Sequence, residues 1–326
     1  MKRGSIRLWL SAALLAGLSC QGLTQSNWPT RPSRLAVANS PGAGPDIVAR
    51  LLADQMSRRL GQPWVVENRP GADGMIAAEA TARAAPDGYT LMLASQSQVA
   101  IEMHIRKVLP VDLTTAFSII AVIVDETTGM AIAVNPELPV KSLAELIAYA
   151  KANPGKLSFS TTVAYGTMFG AWLRWRTGVE MTEVRYKVSS QAIQDAVAGR
   201  VQVAFQSPGA LGAQVRAGRL RFVSMATSKR IEDWPDVPTV AETFPDFTMR
   251  GFMVLIGPAG IPADVVQKMN REAQIVVKDL KFVQDLRKIY WYNFEGARTP
   301  EGAAEFVRRE RENWGKLIRE TGIAPQ

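Results

Sequence analysis

Three short polar loops in this chain carry residue types that hold anions. The first is Ser40-Pro41-Gly42-Ala43-Gly44-Pro45-Asp46. Its glycines let backbone N–H groups approach a ligand closely. The helix that starts behind it turns a positive end toward the loop. A tight strand-to-helix turn uses the same residues, so both readings stand at this point. It is neither a GxxxxGK[ST] phosphate loop nor a GxGxxG fingerprint, because the lysine and the spacing are absent. The second loop is Ser95-Gln96-Ser97-Gln98, whose side chains can hydrogen-bond a carboxylate or a hydroxyl, or simply cap a strand end. The third runs from Thr161 through Thr162, Tyr165 and Gly166 to Thr167. It offers hydroxyls ahead of a helix, and plain N-capping by Thr167 is its alternative reading.

Other chemistry has little to work with. One cysteine and one histidine in 326 residues leave no zinc cluster, no CxxC pair and no intramolecular disulfide. His104, between Met103 and Ile105, would have to do all imidazole catalysis; it reads as a surface or packed histidine. GxSxG and HExxH patterns are absent. Trp172 and Trp175 have helical spacing and read as packing residues. The balance points to a binder rather than an enzyme, with no cofactor and no metal.

The elements that must position these loops follow from apolar periodicity. Arg34–Ser40 reads as a strand. Ile47, Val48, Leu51, Leu52 and Met56 share one helical face, with Pro45 in the first turn and Gly61 as the stop. Strand Trp64–Val66, helix Met75–Ala85, turn Pro86-Asp87-Gly88 and strand Tyr89–Ala94 complete a β-α-β-α-β order. That order predicts a parallel sheet with helices on both faces. The alternation restarts with strand Ala131–Val134, a capping box of Ser142 and Glu145, helix Leu143–Ala152 and strand Leu157–Ser160. A helix ending at Gly178, a helix capped by Ser190, and strands at Val201–Phe205 and Leu220–Ala226 follow. Phe252–Ile256 is a further strand. Pro262 starts a helix to about Leu280, and Thr299-Pro300-Glu301 caps the last. The length exceeds what one core usually fills, which favours two lobes. In open α/β sheets ligands sit beyond the carboxyl ends of strands, where all three loops fall.

The first residues read as a leader. Lys2, Arg3 and Arg7 precede an apolar run, Leu8–Leu18, followed by small residues, the layout of an export signal. The run is too short to span a bilayer. Cleavage near Ser19–Gly22 leaves residues 1–22 as signal peptide and the mature chain in the periplasm. A lipid anchor at Cys20 is the alternative, which Gly17 and Leu18 fit poorly. Losing the three leader cations lowers the net charge from +8 to +5. Arg308, Arg309 and Arg311 are interleaved with Glu310 and Glu312, a solvated helix face, which argues against nucleic acid as partner.

Residues 40–95 carry a longer pattern: Pro41-Gly42, Asp46, Arg50, Leu60-Gly61-Gln62, Val66-Glu67-Asn68-Arg69, Gly71-Ala72, Gly74 and Pro86–Leu91. Asn153-Pro-Gly-Lys-Leu157, Val237-Pro-Thr-Val-Ala-Glu242 and Pro258-Ala-Gly260 continue it in register. This resembles the substrate-binding proteins of tripartite tricarboxylate transporters, the Bug receptors, over almost the whole mature chain. The resemblance implies an α/β fold of the periplasmic binding protein type II kind. In such a fold two doubly wound lobes are joined by crossing strands around a ligand cleft. Lobe 1 would combine residues 27–124 with 228–326, and lobe 2 residues 125–227. It implies a small carboxylate as ligand: a di- or tricarboxylate, an acidic amino acid or an aromatic acid. It also implies membrane permease subunits as partners of a monomeric receptor; a sensor feeding a signalling kinase is the second reading.

The three loops then become ligand loops. The family's helix aspartate corresponds to Asp195, its V-P-Y-K-G to Val184–Val188 with Tyr186, and its F-D-S to Phe205-Gln206-Ser207. Departures concentrate in the second half. Ala43 replaces a glycine, and Val163 and Tyr165 stand near glycine positions. A Cβ there blocks close approach and penalises left-handed φ. Tyr165 would either fill ligand space, selecting a ligand unlike citrate, or stack on an aromatic acid. Arg185 would either contact the ligand or sit at the surface.

Overall fold

The computed structural model describes residues 27–127, 130–162, 164–227, 229–247, 249–289, 291–292 and 298–322. The expected leader and Cys20 lie outside these, as does Val163. The first half runs β1 (Ser33–Val37), α1 (Gly44–Leu60), β2 (Trp64–Asn68), α2 (Met75–Ala82), β3 (Thr90–Ser95), α3 (Glu102–Ile105) and β4 (Phe117–Thr127). Next come β5 (Ala131–Val134), α4 (Leu143–Ala152), β6 (Leu157–Thr161), α5 (Ala164–Thr177), β7 (Met181–Arg185), α6 (Ser189–Val197), β8 (Val203–Gln206), α7 (Pro208–Arg216) and β9 (Arg221–Met225). The chain closes with α8 (Val240–Thr243), β10 (Gly251–Pro258), α9 (Ala263–Val276), α10 (Leu280–Lys288), β11 (Trp291–Tyr292) and α11 (Pro300–Thr321).

Among the described residues the strands form a six-stranded sheet ordered β11-β4-β10-β3-β1-β2 and a five-stranded sheet ordered β7-β6-β8-β5-β9. β1 pairs in parallel with β2 and β3, and β6 in parallel with β7 and β8. β10 is antiparallel to β3 and β4, and β5 antiparallel to β8 and β9. Each sheet thus keeps a parallel βαβ part, whose strands all point their carboxyl ends the same way. β10 returns from the second sheet to the middle of the first. It can lie there because all eight of its residues are buried, the near-continuous apolar pattern of a central strand.

Helix ends explain most departures from the sequence expectation. α5 already begins at Ala164, so Tyr165, Gly166 and Thr167 occupy its first turn rather than a loop. The apolar stripe of Tyr165, Met168, Phe169, Trp172 and Leu173, all buried, extends the helix N-terminally. Ser190 does not cap α6; its N-cap is Val188, with no side-chain cap. Residues 262–280 form two helices, because the Asp279 carboxylate accepts the Phe282 N–H at 2.9 Å and starts α10 afresh. Ser142 caps α4 as expected, but Glu145 reaches back to the N–H of Lys141 rather than that of Ser142.

One apolar cluster reaches from one sheet to the other. It joins Phe159, Phe169, Trp172 and Phe205 to Phe252, Phe306 and Trp314. Phe169 and Phe205 meet edge-on at 5.1 Å, and Phe252 and Phe306 likewise at 5.1 Å. α11 runs along α5, so the last helix of the chain braces the second sheet's layer against the first.

His104 belongs to this brace. Its Nε2 lies 3.1 Å from the Arg311 carbonyl. Gly315 faces the ring so closely that a Cβ would stand 2.7 Å from its Cε1. Glycine inside a helix costs about 1 kcal/mol relative to alanine, and here it makes room for the ring. Burial pushes the imidazole below its ordinary value, against the opposing hydrogen bond to Arg311. The folded ring therefore holds its proton less well than the unfolded one, and folding is favoured as pH rises through that window. Its full contribution is present above about pH 6.5 and is lost as pH falls below it. Urea melts of the wild type and His104→Gln across this range check it. The acid slope below about pH 6.5 should flatten in the variant; an unchanged slope contradicts the assignment.

Candidate functional site

The first wall is the loop between β1 and α1. Asp46 anchors it from inside. One oxygen accepts from the Gly42 N–H at 2.8 Å and from Arg50 Nε at 3.0 Å, and the other accepts from Asn68 Nδ2 at 2.8 Å. Asn68 also donates to the Asn39 carbonyl at 2.9 Å. Burial alone would raise the Asp46 carboxyl; the bonds from Arg50, Gly42 and Asn68 outweigh it and hold the group below its ordinary value. Gly42 takes φ +81°, which only glycine adopts without strain. Ala43 sits at φ −71°, an extended conformation, so alanine carries no backbone penalty there. As N-cap it offers no side-chain acceptor, and the first-turn N–H groups of α1 have no acceptor within the helix. Trp291 of β11 closes over this end, with its ring 2.8 Å from where a Gly44 Cβ would lie.

Beside it the turn after β3 is tied to the loop at 71–74. Gln98 Oε1 accepts from the Ser95 N–H and hydroxyl, both at 2.9 Å, and its Nε2 donates to the Asp73 carbonyl at 2.9 Å. Gln96 Oε1 accepts from the Phe252 N–H at 3.2 Å, which fixes the turn to β10.

The second wall comes from the other sheet. Gln206, at the carboxyl end of β8, accepts on Oε1 from Ser189 at 3.0 Å and from Thr162 at 3.4 Å. Its Nε2 is buried with no partner among the described residues. Tyr165 is 3% exposed, donates to the Met249 carbonyl at 3.3 Å and meets Trp314 edge-on at 5.8 Å. Burial, and then the charge of Glu126, push its phenol well above the ordinary tyrosine value, so it stays neutral.

Between the walls lie two adjoining cavities of about 560 Å³ and 380 Å³. Asn39, Pro45, Thr162, Tyr165 and Trp291 line both. Among the described residues, the first turns or caps of α1, α5, α6 and α7 reach the larger one, through Gly44, Gly166, Ser189 and Ala210. Each such end carries partial positive charge, and together they favour an anion.

Residues 48–323 match the family model described as the tripartite tricarboxylate transporter family receptor. The chain belongs to this family. Protein BugT of Bordetella pertussis is 30% identical over 308 residues, covering 92% of each chain. The solved structure of Rpa4515 from R. palustris with adipate is 29% identical, with a TM-score of 0.83 over 92% of this chain and 100% of that one. MatC from Rhodopseudomonas palustris with bound malate is 26% identical, with a TM-score of 0.76 over 89% and 100%. The two-lobed α/β architecture expected from the sequence is the one these proteins share.

Within the receptor the expected site residues separate into two groups. Ser40, Gly42, Ala43, Gly44, Ser95, Gln96, Ser97, Thr162, Tyr165, Gly166 and Gln206 line the cavities. Asp46, Thr161, Thr167, Tyr186 and Asp195 are not brought to their walls. Thr161 and Thr167 both donate to Glu183 Oε1, which fastens the start of α5 to β7. Tyr186 donates to Asp195 at 2.8 Å and Arg200 pairs with the same carboxylate, so Tyr186 and Asp195 are engaged with each other and with Arg200. Those two bonds, Tyr186 first, hold the Asp195 carboxyl below its ordinary value. Arg185 also stays off the walls, 3.5 Å from Glu183.

Sequence reasoning missed Trp291, Lys187, Ser189, Asn39 and Lys288, which also line the cavities. Trp291 sits on a two-residue strand with no periodicity to betray it. Lys187 follows β7, a half-exposed strand whose charged residues hid it. A systematic look just past each parallel strand would have found Lys187.

Proposed function

We propose that this receptor captures a small carboxylate between its lobes in the periplasm and delivers it to the membrane permease subunits of a tripartite tricarboxylate-type transporter. The observation that carries the reading is the meeting of four helix N-terminal ends, contributed by both sheets, on one cavity. Backbone N–H groups and helix ends suit a carboxylate without needing a metal. The buried Gln206 amide nitrogen would gain a partner from such a ligand, and an unmade bond at a buried donor is costly. Adipate in Rpa4515 and malate in MatC support the ligand class.

The lobes divide near residues 125 and 227, where the chain passes from β4 to β5 and from β9 toward β10. Binding stabilises the closed arrangement by contacts that exist only when both walls meet the ligand. The leader over residues 1–22 exports the chain, and the mature receptor carries out no reaction of its own. A thermal-shift panel of mono-, di- and tricarboxylates against neutral analogues tests this. A ligand at about a hundred times its Kd stabilises by about 2.7 kcal/mol, a visible shift. At least one acid should raise the melting temperature while its amide analogue does not; equal silence from every acid contradicts the proposal.

A further inference from the structure

The two cavities differ in character, and that difference bears on which carboxylates fit; the inference rests on the proposed function above. The larger cavity is the end of helix N-termini and Gln206. The shared waist carries Pro45 and the rings of Tyr165 and Trp291. The smaller cavity beyond it is polar again, with Ser95, Gln96 and Ser97, and it has one lysine, Lys187, on its wall.

We propose that Lys187 is the residue that reads a second carboxylate, making the preferred ligand an acid with two carboxylates separated by an apolar spacer. The other charges near the walls are already engaged. Lys288, on the larger cavity, is 2.7 Å from Asp285. Asp73, which shares the smaller cavity with Lys187, is held by Arg106 at 2.9 Å. The Lys187 ammonium has no hydrogen-bond or ion-pair partner among the described residues and is exposed. One carboxylate would sit against the helix ends, the spacer would pass the aromatic waist, and the second would meet Lys187. A compact acid places its charges together at one end and leaves Lys187 unused. An ammonium–carboxylate contact is a charge-assisted bond, so its loss falls on diacids and spares monoacids.

Calorimetric titration of the wild-type chain, Lys187→Gln and Lys187→Arg tests it, with succinate, adipate and suberate set against butyrate, hexanoate and octanoate. The best diacid should lose about tenfold in affinity in Lys187→Gln, a change equal to about 1.4 kcal/mol. Monoacid affinity should not change, and Lys187→Arg should keep the diacid preference. The salt dependence of diacid binding should be weaker in Lys187→Gln than in the wild type. Equal losses for diacids and monoacids, or no loss for either, overturn the assignment while leaving the carboxylate receptor intact. Failure of the wild type to bind any of the six, while another carboxylate of the thermal-shift panel binds, overturns the assignment alone; silence from every acid of both sets overturns both.

Discussion

Gly44→Val should reduce carboxylate affinity about a hundredfold or more, the free energy of one or two charge-assisted hydrogen bonds. The residue stands where the first turn of α1 meets Trp291. Even an alanine Cβ would lie 2.8 Å from the indole, closer than packed carbon atoms tolerate. Valine adds two methyl groups to that clash. Either the indole swings into the cavity or the helix start retreats, and both remove N–H donors from where a carboxylate needs them. Overpacking costs about 1–3 kcal/mol, against a typical domain stability of about 5–15 kcal/mol, so the variant should still fold. Titration with the best-binding acid, beside a circular-dichroism melt, separates lost binding from lost structure. Retained affinity with a normal melt would show that the α1 end does not hold the ligand.

Tyr165→Ala should be among the most destabilising single changes in the chain, at about 3–5 kcal/mol, the range for deleting a large buried ring. The ring is buried in the cluster shared by both sheets and packs on Trp314. Its hydroxyl reaches the segment that leads back into the first sheet, at the Met249 carbonyl. Tyr165→Phe keeps the ring and removes only that bond, and should cost about 1 kcal/mol. Urea melts at neutral pH check the pair. If alanine and phenylalanine destabilise equally, the ring is not a strut between the layers. Tyr165 is buried at the cavity wall. Its phenol is engaged by the Met249 carbonyl and its ring makes a T-shaped contact with Trp314.

The parts of this architecture that lie in local patterns could be read from the chain. β5 and α4 fall where the alternation and Ser142 put them, and Thr299 caps α11 as expected, accepting the Gly302 N–H at 3.1 Å. The strand-to-helix turn at 40–46 was legible because glycine, proline and a following amphipathic helix each have a local cause. What was not legible depends on partners distant in sequence. Whether Asp46 touches a ligand or clamps its own loop is decided by Asn68, which is 22 residues away. Tyr186 and Asp195 meet only once α6 has packed on β6 and β8. Trp291 reaches the cavity because β11 pairs with β4, a long-range pairing that no window of sequence contains. Ala43 shows the converse. A change that looked strained in sequence carries no backbone penalty because the backbone there is extended.

The central claim is that both lobes hold one carboxylate ligand through helix ends that meet on a single cavity. Isothermal titration of the folded chain with the acid that shifts its melting most, repeated for Gly44→Val and Gln206→Leu, addresses it directly. One Val variant damages the first wall and one Leu variant the second. The account predicts one ligand per chain in the wild type and large affinity losses in both variants. Loss in only one of them, or binding that neither disturbs, would place the ligand elsewhere and contradict it.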